Sequence, residues 1–249
     1  MNGGVSVTPG TAMSEGEPLV ELRSVVKDYR SLRPLRVAAL DLHEGQTIAL
    51  LGFDQAAAEV FVNIVTGAIL PDTGEVRVLG QPTAAIADAD AWVRTLDQFG
   101  LISERAVLLD RLTAAQNLAI PLSLELDDLP SDVRLRVQAI AEEVGISAAE
   151  LHQPLAALAP ATLLRVRLGR ALALGPKVLL AEHPNAALPP DEVAGFAADL
   201  ARVLAGRRLA SLVLTADATF AAAVAEHVLT LQPATGELVS SRGWRRWFS

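Results

Sequence analysis

Cysteine is absent from the 249 residues, which excludes disulfides and thiolate metal sites while leaving the compartment open. Aromatic residues make up only 4%, with Tyr29 the single tyrosine. Basic charge is short as well: Lys and Arg number 21 against 29 Asp and Glu, giving a net charge of −8 and a pI near 5.0. That balance argues against a broad electrostatic surface for nucleic acid, because neutralising phosphates needs clustered Lys and Arg. No run reaches about 18 uncharged apolar residues, so no membrane-spanning helix is expected. The first 17 residues, as far as Glu17, hold no Lys or Arg and are rich in Gly, Ser and Thr; they lack the start of a signal peptide and read as a disordered tail, with Met13 an alternative start. What remains is 51% hydrophobic, enough to bury a full core in one large α/β domain with room for a helical insert.

Residues 18–29 and 33–43 alternate apolar and polar side chains across a short polar turn, and GEVRVLG (74–80) repeats the pattern, which predicts an antiparallel β subdomain. QTIALLG (46–52) is continuously apolar, as a strand covered on both faces should be, and a helix from about Ala56 to Val65 follows it. Helical signals fill about 113–158, including TAAQNLAIPL and a start at Pro130-Ser131, and predict an α-helical subdomain over about 105–160. Beyond it, helices over 160–174, 191–204 and 218–226 alternate with core strands over 177–181 and 209–215. A short β pair over 227–231 and 237–240 closes the domain. Alternating strands and helices predict a mostly parallel sheet with helices on its faces. The last residues, 241–249, form a basic aromatic tail in which Trp244, Arg245, Arg246 and Trp247 suit a protein contact or a membrane interface; folding back onto the domain is the bland alternative.

Between the strand ending at Gly52 and the helix after it lies GFDQAAAEV, where a phosphate-binding loop of pattern GxxGxGK[ST] would sit. Such a loop curls backbone N–H groups around phosphate oxygens, reaches them with a Lys and holds Mg²⁺ with a hydroxyl. Only Gly52 remains. Gln55 and Ala57 replace the other glycines, Ala58 the Lys and Glu59 the hydroxyl residue. Asp54 and Glu59 bring negative charge towards the place of a triphosphate; at roughly 4 Å and an effective dielectric of about 20, one like-charge pair costs about 4 kcal/mol before screening. That exceeds the roughly 1–3 kcal/mol that base stacking supplies, so weak or absent nucleotide binding is expected.

Further along, RVRLGRALALGPKVLLAEHPNAAL (165–188) places an Arg-rich helix, a Pro-Lys pair, a buried strand and then Glu182-His183-Pro184 in succession. The order and spacing of these segments, over about 18–239, resemble the ATP-binding cassette family. The resemblance implies a P-loop NTPase-like α/β fold: a mostly parallel sheet core with an antiparallel β subdomain and an α-helical subdomain. It also assigns family positions. Tyr29 falls where an aromatic residue stacks on adenine, Glu104 in the glutamine-loop position, and Glu182 where the magnesium-side Asp is expected. His183 stands in the place of the catalytic Glu, and Ala216 in that of the switch His. The signature LSGGQ becomes Leu158-Ala159-Pro160-Ala161-Thr162, and Pro189 replaces the Asp of the loop after the acidic strand. His183 offers an imidazole that could orient a water, but with no Lys or glycine nest to hold phosphates a solvated or capping role is expected. Arg165, Arg167 and Arg170 share a helix and are expected to form a solvated face or an interdomain contact.

Taken together, the resemblance implies a catalytically silent nucleotide-binding-domain homologue, a structural or regulatory subunit of a transporter-like membrane complex. It would have no catalytic residue of its own and no bound cofactor, weak ATP and Mg²⁺ binding being the alternative. Its implied partners are membrane-domain subunits and an active ATPase subunit or a second copy. Membrane contact would come through those partners or the basic aromatic tail, on the inner face of the plasma membrane. The runner-up is a residual or partner-activated ATPase.

Overall fold

The computed structural model describes residues 16–240, so the expectations for residues 1–15 and for Trp244, Arg245, Arg246 and Trp247 lie outside the described residues. Elements run in the order β1 (Val20–Lys27), β2 (Leu35–Leu42), β3 (Thr47–Leu51), α1 (Gln55–Val65), β4 (Thr73–Val78), β5 (Gln81–Pro82), α2 (Ala89–Leu96), β6 (Phe99–Ile102) and α3 (Ala114–Ala119). There follow α4 (Ser131–Val144), α5 (Ala148–Leu151), α6 (Pro160–Leu172), β7 (Val178–Glu182), α7 (Pro190–Arg207), β8 (Ala210–Leu214), α8 (Ala218–Val224), β9 (His227–Leu231) and β10 (Leu238–Ser240).

Two sheets form. One is antiparallel, in the order β2-β1-β4-β5; the other, β10-β9-β3-β8-β7-β6, is parallel except for the β10–β9 pair at its edge. The mixed α/β architecture expected from the sequence is therefore present. The central strands VLLAE and ASLVL are buried at every position, as strands covered by helices on both faces must be. In β1 the register shifts between Arg23 and Val26, where Ser24 takes a φ of 51°. Gly74 faces that bulge: a Cβ there would stand 2.4 Å from the Ser24 carbonyl oxygen, so the position admits only glycine.

Two hydrophobic clusters divide the core. One lies between the antiparallel sheet, the parallel sheet and α1, around Phe53, Phe61 and Leu50. The other packs the opposite side of the parallel sheet against α3, α4, α6, α7 and α8, around Leu118, Leu168, Phe196 and Phe220. Helix starts follow local chemistry: the Asp54, Asp88 and Asp217 side chains cap α1, α2 and α8, while Thr113-Gln116 and Ser147-Glu150 form capping boxes at α3 and α5. The segment α2-β6 has no counterpart in the sequence-based expectations. Helix α2 buries no residue and is tied down by Trp92, whose Nε1 donates to the Thr66 carbonyl at 3.2 Å.

Candidate functional site

The parallel strands β3, β7 and β8 end side by side, and their C-terminal ends carry Gly52, Glu182 and Thr215 into one region. In open α/β sheets this is the crevice that ligands use. Gly52 has φ 86°, and a Cβ on it would meet the Leu231 carbonyl oxygen at 3.1 Å. The one glycine retained from the loop pattern thus has a packing reason independent of any phosphate.

Asp54, next in the loop, turns its carboxylate onto the helix start: Oδ1 accepts the Ala57 N–H at 2.8 Å, and the Asp54 carbonyl accepts the Ala58 N–H at 2.9 Å. One of the amides that would face an anion at the start of α1, that of Ala57, is engaged by an anion of the chain itself. Ala57 and Ala58 are buried, Ala58 completely, so the methyl in the Lys position belongs to the core rather than to a cleft.

Glu59 does not aim at the loop. Its carboxylate pairs with Arg105 at 3.2 Å, and the same Nη1 donates to Asn63 Oδ1 at 3.3 Å. The other arm of Arg105 donates to Glu182 Oε1, whose Oε2 accepts from Ser103 Oγ at 3.0 Å. Glu182 is almost wholly buried, with a side chain 1% exposed, whereas Arg105 is 43% exposed. The carboxylate of Glu59 is accordingly paired within the chain by a guanidinium it shares with Glu182, while Asp54 places its carboxylate at the helix start. Beside Glu182 and His183 the open space is about 10 Å³, room for one water at most. Glu104, the neighbour singled out by sequence, is exposed.

His183 is less solvated than expected. It is half-buried at φ 43°, its N–H donates to the Leu214 carbonyl at 2.8 Å, and its Nε2 is buried with no hydrogen-bond partner among the described residues. Behind it, Thr215 Oγ1 donates to Asn185 Oδ1 at 2.9 Å and Asn185 Nδ2 to Asp217 at 3.2 Å. These groups and exposed Ala216 border a cleft of about 640 Å³ between α7 and α8. Tyr29 is half-buried and packs on the cluster around Phe53 and Phe61.

The start of α6 repeats the pattern of α1. Pro160 occupies its first turn, and the Ala161 N–H donates to the Glu192 carboxylate of α7 at 3.0 Å. Thr162 Oγ1 donates to Glu150 at 2.7 Å; the Ser147 hydroxyl, then that of Thr162, hold the Glu150 carboxyl below its usual range. The α6 arginines are not a solvated face. Arg165 pairs with Asp199 of α7 at 2.7 Å, Arg167 reaches the Ser103 carbonyl at 3.5 Å, and Arg170 donates to the Val107 carbonyl at 2.7 Å. Burial, and secondarily Arg167, push the Arg170 guanidinium down from its usual value.

Sequence reasoning missed Arg105, Ser103, Asn63 and Glu192. One signal was available: Glu59 and Glu182 add carboxylates to a place that has lost its Lys, and so call for another cation. Arg105 and Arg111 both lie in the loop after β6, so that signal does not by itself single out Arg105.

A family profile described as "ABC transporter" matches residues 35–186. The chain is 29% identical over 215 residues to a methionine import ATP-binding protein MetN of Brucella abortus, covering 86% of this chain and 57% of that one. It is 33% identical over 201 residues to a phosphonates import ATP-binding protein PhnC of Anaeromyxobacter dehalogenans, covering 77% and 40%. The chain thus spans little more than half of the first relative and less than half of the second. Among solved structures, cbiO1 of Clostridium perfringens, described as part of the ABC transporter complex cbiONQ, superposes with a TM-score of 0.77 at 18% identity, covering 90% of this chain and 88% of that one. At that identity the likeness concerns the fold, a P-loop NTPase-like core.

Proposed function

Because this chain belongs to the ABC transporter family, we propose that it is a nucleotide-binding-domain homologue that neither holds nor hydrolyses ATP and serves as a structural or regulatory subunit of a transporter-like membrane complex. The observation that carries the reading is the Asp54 carboxylate seated on the Ala57 N–H at 2.8 Å, beside the fully buried methyl of Ala58. A triphosphate arriving there would have to displace that carboxylate and would find no ammonium to receive it. The α6 start supports the same conclusion for a nucleotide presented by a partner, since Glu192 already occupies the Ala161 N–H.

On this reading Tyr29, Gly52, Ala57, Ala58, Glu59, Glu104 and Glu182 are vestigial nucleotide positions, and His183 and Ala216 do no chemistry. Residues from about 105 to 160 act as a helical subdomain. Membrane-domain subunits, with an active ATPase subunit or a second copy, are its partners. No helix among the described residues is long and apolar enough to cross a membrane, so attachment at the inner face of the plasma membrane would come through them.

A second reading, a residual or partner-activated ATPase driving transport, is favoured by the relatives, which are named import ATP-binding proteins. Titration of the purified chain with labelled ATP, with and without Mg²⁺ and with co-purifying proteins, separates the two. No saturation at millimolar ATP is expected; saturable micromolar binding would favour the ATPase.

A further inference from the structure

The segment from Ser103 to Leu109, between β6 and α3, has one partial apolar anchor, Leu108 against the helical-side core, while Val107 is 67% exposed and Leu109 46%. Polar contacts supply most of the rest. Arg105 reaches Glu59 and Asn63 on α1 with one arm and Glu182 at the end of β7 with the other. Ser103 Oγ donates to the same Glu182. From the other side Arg167 and Arg170 of α6 hold the Ser103 and Val107 carbonyls, and the side chain of buried Asn117 bonds both backbone groups of Leu109, at 2.9 and 3.1 Å. The segment is therefore the place where α1, β7, α6 and α3 meet. A stretch with few buried apolar contacts opens at low cost unless such bonds restrain it.

We propose that Arg105 is a built-in cation: its guanidinium occupies the space between Glu59 and Glu182, pairs with both, and locks residues 103–109 onto α1 and β7 with no external ion or nucleotide. The planar fork suits this because its donors serve two carboxylates and an amide oxygen at once, which a point-charge ammonium does less well. Glu182 depends on it most, being a nearly inaccessible carboxylate with Ser103 as its only other side-chain donor among the described residues. Arg105 is thus a positioning residue, and the segment keeps one conformation whatever the nucleotide state of a partner. This inference rests on the silent-subunit reading and adds to it the group that holds the site in place.

Hydrogen-exchange mass spectrometry on the full chain tests it, comparing wild type, Arg105→Gln and Arg105→Lys with and without millimolar Mg²⁺. In the wild type, exchange at 103–109 should not respond to Mg²⁺. In Arg105→Gln it should quicken by about tenfold and slow again when Mg²⁺ is added, because Glu59 and Glu182 then face a vacated space. Arg105→Lys should fall between the two. Unchanged exchange in Arg105→Gln, no response of that variant to Mg²⁺, or slowing of the wild-type segment by Mg²⁺ would each overturn the proposal. If Arg105→Gln does not fold, Arg105→Lys decides: exchange equal to wild type overturns the proposal, and faster exchange supports it. ATP binding by the wild type would refute the silent reading while leaving this outcome separately readable.

Discussion

Removing one end of the Arg105–Glu182 contact should cost more than removing the other, because the two ends differ in access to water. Glu182 has a side chain 1% exposed; Arg105 is 43% exposed and keeps Glu59 and Asn63 as partners. Arg105→Met leaves a buried carboxylate with Ser103 Oγ at 3.0 Å as its remaining side-chain donor. Breaking a buried pair from that side costs 3–5 kcal/mol; Ser103 and the half-open position of the guanidinium place this case near the lower end, about 3 kcal/mol. Glu182→Gln keeps the shape and leaves a cation that reaches solvent, so the loss is that of a charge-assisted hydrogen bond, about 1.5 kcal/mol. The double variant leaves no buried charge and should be less destabilised than the sum of the singles by roughly 1 kcal/mol or more. Urea unfolding with unchanged m-values measures all three. Should Glu182→Gln prove as costly as Arg105→Met, or the singles simply add, the carboxylate does not depend on that guanidinium and the reasoning fails.

Helix α6 carries Gly169 against α3 and α4: an added Cβ would stand 2.5 Å from Leu118 Cδ2 and 3.0 Å from Ile140 Cγ2. Gly169→Ala should therefore destabilise by about 1–3 kcal/mol from overpacking, against the up to about 1 kcal/mol gained in helix propensity, and lower Tm; a Tm at or above wild type would contradict the packing. Glu150 titrates below its usual 4.5 because the Ser147 and Thr162 hydroxyls donate to it. The folded state thus binds fewer protons than the unfolded one, and the contribution is present above 4.5 and lost as pH falls through the depressed folded value. Denaturant unfolding should show Glu150→Gln less stable than wild type near neutrality and converging with it in acid; a constant gap across that range would rule out the linkage.

Runs of buried residues made most of the fold legible. VLLAE, ASLVL and TIALL read as central strands from composition alone, since a strand covered on both faces has no polar alternation to hide it. Helix α2 was not legible, because no residue of ADAWVRTL is fully buried and its tie to α1 is the Trp92–Thr66 bond, which sequence spacing does not reveal. At the candidate site the replaced residues were visible as replacements, but what took their place was not. Arg105 lies 77 residues from Glu182 and 46 from Glu59, so nothing local distinguishes it from exposed Glu104 beside it. Gly52 read as the remnant of a phosphate nest; the structure adds, beside its φ of 86°, a close approach of Leu231, which strand β9 brings in from far along the chain.

Three positions share one logic. Where the family resemblance calls for an anion at a helix start, this chain supplies its own, with Asp54 on Ala57 and Glu192 on Ala161. Where it calls for a cation between α1 and the end of β7, Arg105 stands there. Each replacement stabilises the ligand-free state: a side-chain cap contributes about 1 kcal/mol to its helix, and the guanidinium compensates a carboxylate that burial would otherwise penalise by several kcal/mol. On the silent-subunit reading, a nucleotide with its metal at the α1 start would have to displace Asp54 and Arg105, one presented by a partner at the α6 start would have to displace Glu192, and each displaced group would be left desolvated or repelled by the phosphate charge. The loss of the Lys and the glycines is therefore, on that reading, only half of the difference. The other half is a site filled by internal partners, which lets the same fold stand without the ligand that the family's pattern was built to hold.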